Sequence, residues 1–515
     1  MSKSYFIGLD LGTTGVKALL CDQKGNVVAT SFQPYNLYHP KPAWAEQDPQ
    51  EWVCSTKNAL SDLLKISKVN PSVVNGIGIG SQIDGVILID SEGKPLRRAI
   101  IWMDRRAIKQ CNEIKMKIPD ELMYEVTGLC VDPSHVAAKI LWIKENEWHI
   151  YSKTKRFLMP GDYILYYLTG EVATDYSNAS STMLLDIREK KWSKKICDLL
   201  EIPVEMLPCI KPAFKIIGTI KKDVAKYCGL DPSTTIVVGG GDEEVGAIGA
   251  GVINPGDVVD ITGTAEPICI CVDKPVFDDK RVLECHVSVD PEFWLLENTG
   301  IVAGGLYRWF RDQFCQIETE FASKTNIDPY EILNLEASKA PPGSDGLICL
   351  PFFSGSITPE WDAQARGVFF GLTLAHRKEH IARAILEGCA YVLRDTIERG
   401  EKLGIKIEKI VAAGGGAKGK LWRQIKADVT NKKIIKTMNE EVTAFGAALL
   451  AEVGTGVYKN LSTAVKETVK IYEEMQPIAT HYNLYNRLYK IYLKLYYTLK
   501  EVFPEISIYQ EQIEK

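Results

Sequence analysis

Short apolar runs that end in glycine and threonine turns punctuate this chain, with longer stretches of helical spacing between them. Tyr5–Leu9 runs into Asp10-Leu11-Gly12-Thr13-Thr14-Gly15, and Val258–Ile261, apolar except for Asp260, runs into Thr262-Gly263-Thr264. Each reads as a buried strand followed by a tight turn. Val16–Cys21 resumes strand character, residues 22–26 turn, and Val27–Phe32 forms a third run. That order predicts an antiparallel meander rather than a crossover. Pro267–Val272 resumes a strand after the second turn in the same way. Two small-residue segments, Glu243–Gly251 and Val442–Ala451, predict helices in which a close crossing against a partner offsets the glycine cost. A third glycine turn, Gly414–Gly416, follows the apolar strand Lys409–Ala413 and precedes a helix from about Leu421. Strand, glycine turn and helix N-terminus together form an anion site.

These units predict an α/β protein. Its 515 residues exceed what one core supports, so two domains are expected. The turn signal Asn254-Pro255-Gly256 puts the boundary around Gly251–Gly256. Residues 1–251 then form an N-terminal domain, 252–455 a C-terminal domain and 456–515 a helical extension. In that extension Leu484, Leu488, Ile491, Leu495, Leu499 and Val502 recur every three or four residues. They predict a one-sided apolar stripe that packs onto the C-terminal domain or, alternatively, forms a homodimer contact.

Composition removes several classes. Net charge is −5 and no long basic run occurs, so no nucleic-acid partner is expected. No stretch of about 18 apolar residues appears, which argues against a membrane span. The opening MSKSYFIGLDLG lacks the apolar core and cleavage site of a signal peptide. Thirteen cysteines are scattered, and the Cys269/Cys271 pair has no zinc-spaced counterpart. The odd count fits reduced thiols in a cytoplasmic protein.

The turns carry the candidate chemistry. Asp10–Gly15 puts a carboxylate at a strand end and then a turn suited to phosphate oxygens, where Asp10 can hold Mg2+ through water. A β-hairpin turn with a capping Asp is the plain alternative. Three phosphate-type turns in one chain favour the functional reading. In Gly239-Gly240-Gly241-Asp242-Glu243, Asp242 lands at a helix start, as an N-cap or as a general base. Phosphoryl transfer needs mostly positioning, charge stabilisation and a carboxylate that takes the hydroxyl proton. Gly78–Gly85 and Ile100–Arg106 open into polar loops, where Gln82, Asp84 and Asp104 can bind vicinal hydroxyls while Trp102 packs on a carbon face. Taken singly, each also reads as an ordinary loop residue.

With these residues in view, the sequence resembles the FGGY family of carbohydrate kinases, built on the duplicated actin/hexokinase-like (ribonuclease H-like) ATPase fold. Asp10–Gly15 resembles its first phosphate loop and Thr262–Thr264 its second. PFFSGSITPEWDAQARGVFFGL from Pro351, with His380–Glu387, is similar to its C-terminal signature. Gly414–Lys418 and Leu421–Asp428 resemble its adenosine-binding segment, especially in xylulokinase-like members. The resemblance implies two domains around a cleft, ATP and Mg2+ as cofactors, and frequent dimers. By position it implies Asp242 as catalytic base and Asp10 as the carboxylate associated with metal and phosphate. Thr13, Thr14, Thr264, Gly304, Gly415 and Gly416 fall on nucleotide contacts, and Gln82, Ile83, Asp84 and Asp104 on sugar-contacting loops.

Departures from the family pattern bear on the substrate. Xylulokinases usually read Gln-Met-His-Gly where this chain has Gln82-Ile83-Asp84-Gly85, Asp-Asn for Asp242-Glu243, and a small residue for Glu266. The Arg-Glu pair of glycerol kinases is also missing from the Gln82–Gly85 loop. The expectation is that Asp84, Glu243 and Glu266 place negative charge beside the substrate and repel sugar acids. A neutral, hydroxyl-rich molecule suits such acceptors. The sequence thus reads as a kinase for a small neutral sugar (a ketose such as xylulose) or polyol, alternatively for a tetritol, cyclitol, deoxy or amino sugar. From another class, an actin- or chaperone-like conformational ATPase shares the fold. Against it stand the Pro351–Glu387 signature and the short tail beyond Val453, and intact Asp10 and Asp242 oppose a silent sugar sensor.

Overall fold

Continuous burial of Phe6–Leu9 within the strand Tyr5–Leu11 demands protein on both faces, and the computed structural model supplies it. The structure describes residues 4–513, with side chains to 509; residues 1–3, part of the segment read above for a leader, and 514–515 lie outside it. In the first half, β1 (Tyr5–Leu11), β2 (Gly15–Asp22) and β3 (Val27–Pro34) form the expected meander. β4 (Val74–Ser81) lies parallel to β1, and β5 (Ile216–Thr219), β6 (Thr235–Val237) and β7 (Gly240–Gly241) complete the sheet. Its order is β5-β6-β4-β1-β2-β3, with β7 also on β4.

The second half repeats this plan. β8 (Val258–Ile261), β9 (Ile268–Val272), β10 (Glu284–Val287), β11 (Trp294–Asn298), β12 (Lys409–Ala413), β13 (Lys433–Thr437) and β14 (Ile471–Met475) pair in the order β10-β11-β9-β8-β12-β13-β14. In both sheets a three-stranded antiparallel unit leads into two parallel strands. The halves are therefore duplicated in topology, and their glycine turns fall at matching strand ends.

Helices cover both faces of each sheet. α1 (Pro49–Ser67) buries Trp52, Leu60 and Leu63 on the outer face of the first sheet. α2 (Asp242–Gly249) comes from the first half, yet Ala247 joins the core of Val259, Cys269 and Val411 in the second sheet. α3 (Ala303–Phe314), α4 (Lys378–Lys402) and α5 (Lys420–Thr430) build the outer layer of the second half. α6 (Val442–Gly454) makes the reverse exchange: Phe445 and Ala448 pack with Phe6, Leu19 and Val237 of the first half.

Glycine makes this exchange possible. A Cβ on Gly8 or Gly78 would lie 1.6 or 1.8 Å from α6 carbonyl oxygens, and one on Gly446 would lie 2.0 Å from the Val245 oxygen. The predicted close crossing is thus between α2 and α6 themselves.

α7 (Ala479–Leu499) packs on the second half through part of the expected stripe, Leu488, Leu495 and Leu499, and chiefly through tyrosines. Tyr485, Tyr489, Tyr492 and Tyr496 are buried, whereas Ile491 and Val502 are exposed and Leu495 alone of the stripe is buried. Tyrosine rings bury more area than leucine, and two of the hydroxyls find acceptors: Tyr485 donates to Glu387 Oε1 at 2.7 Å and Tyr489 to Asp395 Oδ1 at 3.0 Å. Cys269 and Cys271 are free thiols buried in β9. Among the described residues no helix is long and apolar enough to cross a membrane.

Two expected outcomes follow from the α2–α6 crossing. Gly446→Ala lowers the melting temperature by an overpacking cost of about 1–3 kcal/mol. Gly218→Ala, whose added Cβ meets nothing closer than 3.6 Å, stays within about 0.5 kcal/mol of the parent. Glu452 on α6 is fully buried, and burial pushes its carboxyl up to about 8. A raised folded-state pKa means a contribution that is complete below about 4.5, the unfolded value, and lost as pH rises through about 8. Thermal scans of Glu452→Gln should show little gain over the parent at pH 5 and a clear gain at pH 8.5.

Candidate active site

The first turn closes with Gly12 N–H donating to Gly15 O at 3.1 Å. The N–H groups of Thr13 and Thr14 donate to no protein acceptor among the described residues, which leaves two donors for an anion. The turn is propped from beneath. Gln47 Nε2 donates to Thr13 O at 2.7 Å, Gln82 Nε2 to Gln47 Oε1 at 2.8 Å, and Trp102 Nε1 to Thr13 Oγ1 at 3.0 Å. The Nε2 of buried Gln82, expected on a sugar hydroxyl, is thereby used on the turn, while its Oε1 has no partner among the described residues. Trp102 keeps a free ring face at 38% exposure.

Strand register sets Asp242 against this turn. Asp10 on β1 pairs with Gly80 on β4, and Gly80 pairs with Gly240 on β7, so Asp10 and Gly240 stand about 10 Å apart across two strand spacings. Asp242 follows as the first residue of α2, with Gly241 as the N-cap, so the capping alternative for Asp242 does not hold. Backbone N–H groups of Asp242 and Glu243 bond its carboxylate, no side chain among the described residues donates to it, and Thr443 Oγ1 fixes its carbonyl at 3.1 Å. Burial, then Glu243 and Asp10, raise the Asp242 pKa well above the carboxylate range. Burial pushes Asp10 up to about 6, with Lys17 opposing. Burial and Glu244 push Glu243 up to about 7. Ile83 lies against this segment: a Cβ on Gly241 would sit 2.7 Å from its methyl.

The second turn is rigid for a different reason. Lys426 Nζ donates to Asp260 Oδ2 at 2.5 Å, Thr262 Oγ1 at 2.7 Å and Glu266 Oε1 at 2.6 Å, all buried. Around this knot the chain brings together Thr264, Gly304, Gly415 and Gly416. Gly305 N donates to Thr264 O, Gly416 N donates to Thr262 O, and a Cβ on Gly304 would lie 2.0 Å from Gly263 O. The N–H groups of Thr264 and Gly415 are free of protein acceptors among the described residues. Glu440 and Glu441 link the two turn systems, pairing with Lys418 beside Gly416 and Lys17 opposite Asp10.

Three expected carboxylates are placed otherwise than the sequence suggested. Glu266 is tied to Lys426 within the second half, so its charge is neutralised by a lysine and not offered to a substrate. Asp104 is fully buried and accepts from Ala45 N and three donors of Arg106, which uses all its lone pairs and makes it a loop anchor. Asp84 takes a left-handed backbone with φ 60° and pairs with His135 Nδ1 at 3.1 Å. Although burial opposes it, Asp84 and Glu284 hold His135 well above its usual pKa. The negative wall expected from Asp84, Glu243 and Glu266 thus reduces to Glu243 and its neighbour Glu244.

Gln47, His135, Lys426 and Glu441 carry weight in this geometry, yet the sequence analysis assigned none of them a role. His135 precedes a helix with no motif around it, and Lys426 sits inside the segment read for adenosine, so only tertiary contact reveals their partners.

Comparison with known proteins agrees with this arrangement. Residues 5–249 match the N-terminal domain of the FGGY family of carbohydrate kinases, and residues 261–455 its C-terminal domain. The chain is 33% identical to xylulose kinase of Bacillus subtilis (strain 168), over 98% of this chain and 99% of that protein. It is 31% identical to gluconokinase of the same organism, over 98% of each. The crystal structure of ligand-bound xylulose kinase from Lactobacillus acidophilus superposes with a TM-score of 0.88 at 28% identity, covering 98% of this chain and 100% of that one. Duplicated sheets, paired glycine turns and both domain matches lead to one assignment: this chain belongs to the FGGY family of carbohydrate kinases.

Proposed function

We propose that this carbohydrate kinase transfers the γ-phosphoryl group of ATP to a hydroxyl of a small neutral ketose or polyol, with Asp242 as general base. The observation that carries the reading is Asp242 itself: a half-buried carboxylate at a helix start, its charge interacting with that of Asp10, with no side-chain donor among the described residues. Such a group has lone pairs for the acceptor hydroxyl and a raised affinity for its proton. The free N–H groups of Thr13 and Thr14 in the first turn, and of Thr264 and Gly415 in the second, are the donors for the polyphosphate, with Gly416 shaping the second turn. Asp10 is the carboxylate that would hold Mg2+ through water, and the ion offsets phosphate charge. In-line transfer then asks the protein for alignment and proton removal.

The residues proposed to meet the sugar are Ile83, Asp84, Glu243 and the exposed face of Trp102. Gln82 and Asp104 act one step behind, holding the first turn and the Ile100–Arg106 loop. Because His135 balances Asp84, acid exclusion rests on Glu243. With Mg·ATP as second substrate, a cytoplasmic setting is proposed, and a homodimer is proposed from the family resemblance.

ADP release on a panel of ketoses, tetritols, cyclitols, amino sugars and gluconate tests the substrate. Turnover of xylulose or a polyol is the expected outcome, and efficient gluconate turnover would overturn the neutral-substrate reading. Asp242→Asn should lower kcat by about 10²–10⁴-fold with ATP binding retained; full activity would remove the base assignment. His135→Ala leaves Asp84 unpaired and should raise the sugar KM about tenfold or more while the ATP KM holds.

A further inference from the structure

Behind Asp242 lies a buried cluster that the phosphoryl transfer does not use. Glu284 and His286 alternate onto the same face of β10, and Glu297 on β11 stands directly opposite Glu284. Glu244, the third residue of α2, reaches them from the other side, with Oε1 3.9 Å from His286 Nδ1. His286 Nε2 is 3.4 Å from Glu284 and 3.5 Å from Glu297. These four side chains are 1–3% exposed.

Apart from a carboxyl–carboxyl hydrogen bond between Glu297 and Glu243, the cluster does not satisfy itself. Both oxygens of Glu244 and Oε1 of Glu284 and of Glu297 lack a hydrogen-bond partner, as does the nearby Oε2 of Glu243. Orphaned buried carboxylate oxygens are among the costliest groups a fold can carry. Like charges directly opposite in a ladder add to that cost. The imidazoles within reach, His286 and His135, are outnumbered by the carboxylates, and His135 is already shared with Asp84. One ligand atom from each of Glu244, His286 and Glu297 can be chosen so that all lie within 4.8 Å of one another.

We propose that Glu244, His286 and Glu297 form a site for a divalent transition-metal ion, Zn2+ or Mn2+, separate from the Mg·ATP site. One imidazole and two carboxylates suit such ions, whereas Mg2+ favours an all-oxygen shell with several waters. Glu284 then acts as the group that orients His286, the usual role of a carboxylate behind a ligating histidine. The ion would tie α2 to β10 and β11 two residues beyond Asp242, which makes it a positioning device for the base helix. The inference stands on the cluster alone and does not rest on the kinase reading.

The test uses the full chain, stripped with a chelator and free of nucleotide. Calorimetric titration with Zn2+ and with Mn2+, and the visible spectrum of the Co2+ form, are read on the parent and on Glu297→Gln and His286→Gln. One equivalent per chain, a higher melting temperature with metal and an affinity about tenfold or more weaker in both variants are expected. If His286→Gln fails to fold, Glu297→Gln, which keeps side-chain volume, decides. No binding of any of the three ions, or binding unchanged in Glu297→Gln, would overturn the proposal. Either result is read without phosphoryl transfer, so it leaves the assignment of Asp242 to its own experiment.

Discussion

Where α2 and α6 cross, backbone meets backbone. Gly249 lies against the Val442 carbonyl and Gly446 against that of Val245, while Gly8 and Gly78 let α6 settle onto β1 and β4. Side chains at any of these positions would hold the helices apart. The contact exchanges helices between the halves, since α2 caps the second sheet and α6 the first. It also brings the start of each helix to the glycine turns. Asp242 opens α2, and Glu441, immediately before α6, reaches Lys17 beside the first turn. The site is therefore assembled by the crossing, and its two anion-type turns face one junction.

Electrostatics at that junction follows from what each carboxylate finds as a partner. Glu266 and Asp260 share Lys426, Asp104 has Arg106, and Asp84 has His135. Each pair is buried, and removing one member would strand the other. Asp242, Glu243 and Glu244 find no lysine or arginine, and burial raises all three, as it also raises Glu266 to about 7 against the pull of Lys426. Carboxylates paired with a cation hold turns in place, whereas these three near the start of α2 lack such a pair.

Local pattern carried a good part of this. Strand, turn and meander around Asp10 and Thr262 were legible because apolar runs broken by Gly and Thr encode backbone geometry within a few residues. The paired small-residue helices announced a close crossing for the same reason. The tail shows where pattern is incomplete: counting leucines selected a stripe that packs only in part, whereas tyrosines fill the buried face and two of them, Tyr485 and Tyr489, bond Glu387 and Asp395. Those acceptors lie about a hundred residues away, beyond any local window.

By itself the sequence determined the α/β class, the duplicated strand–turn units, the phosphate-type turns and the candidacy of Asp10 and Asp242, all properties of residues close in the chain. Tertiary structure alone decided which carboxylates are free. Lys426 for Glu266, Arg106 with the Ala45 amide for Asp104, and His135 for Asp84 are matters of partner, and apart from Arg106 each partner comes from a distant segment. A buried charge takes its chemistry from the groups that surround it, and those are known only once the chain has folded.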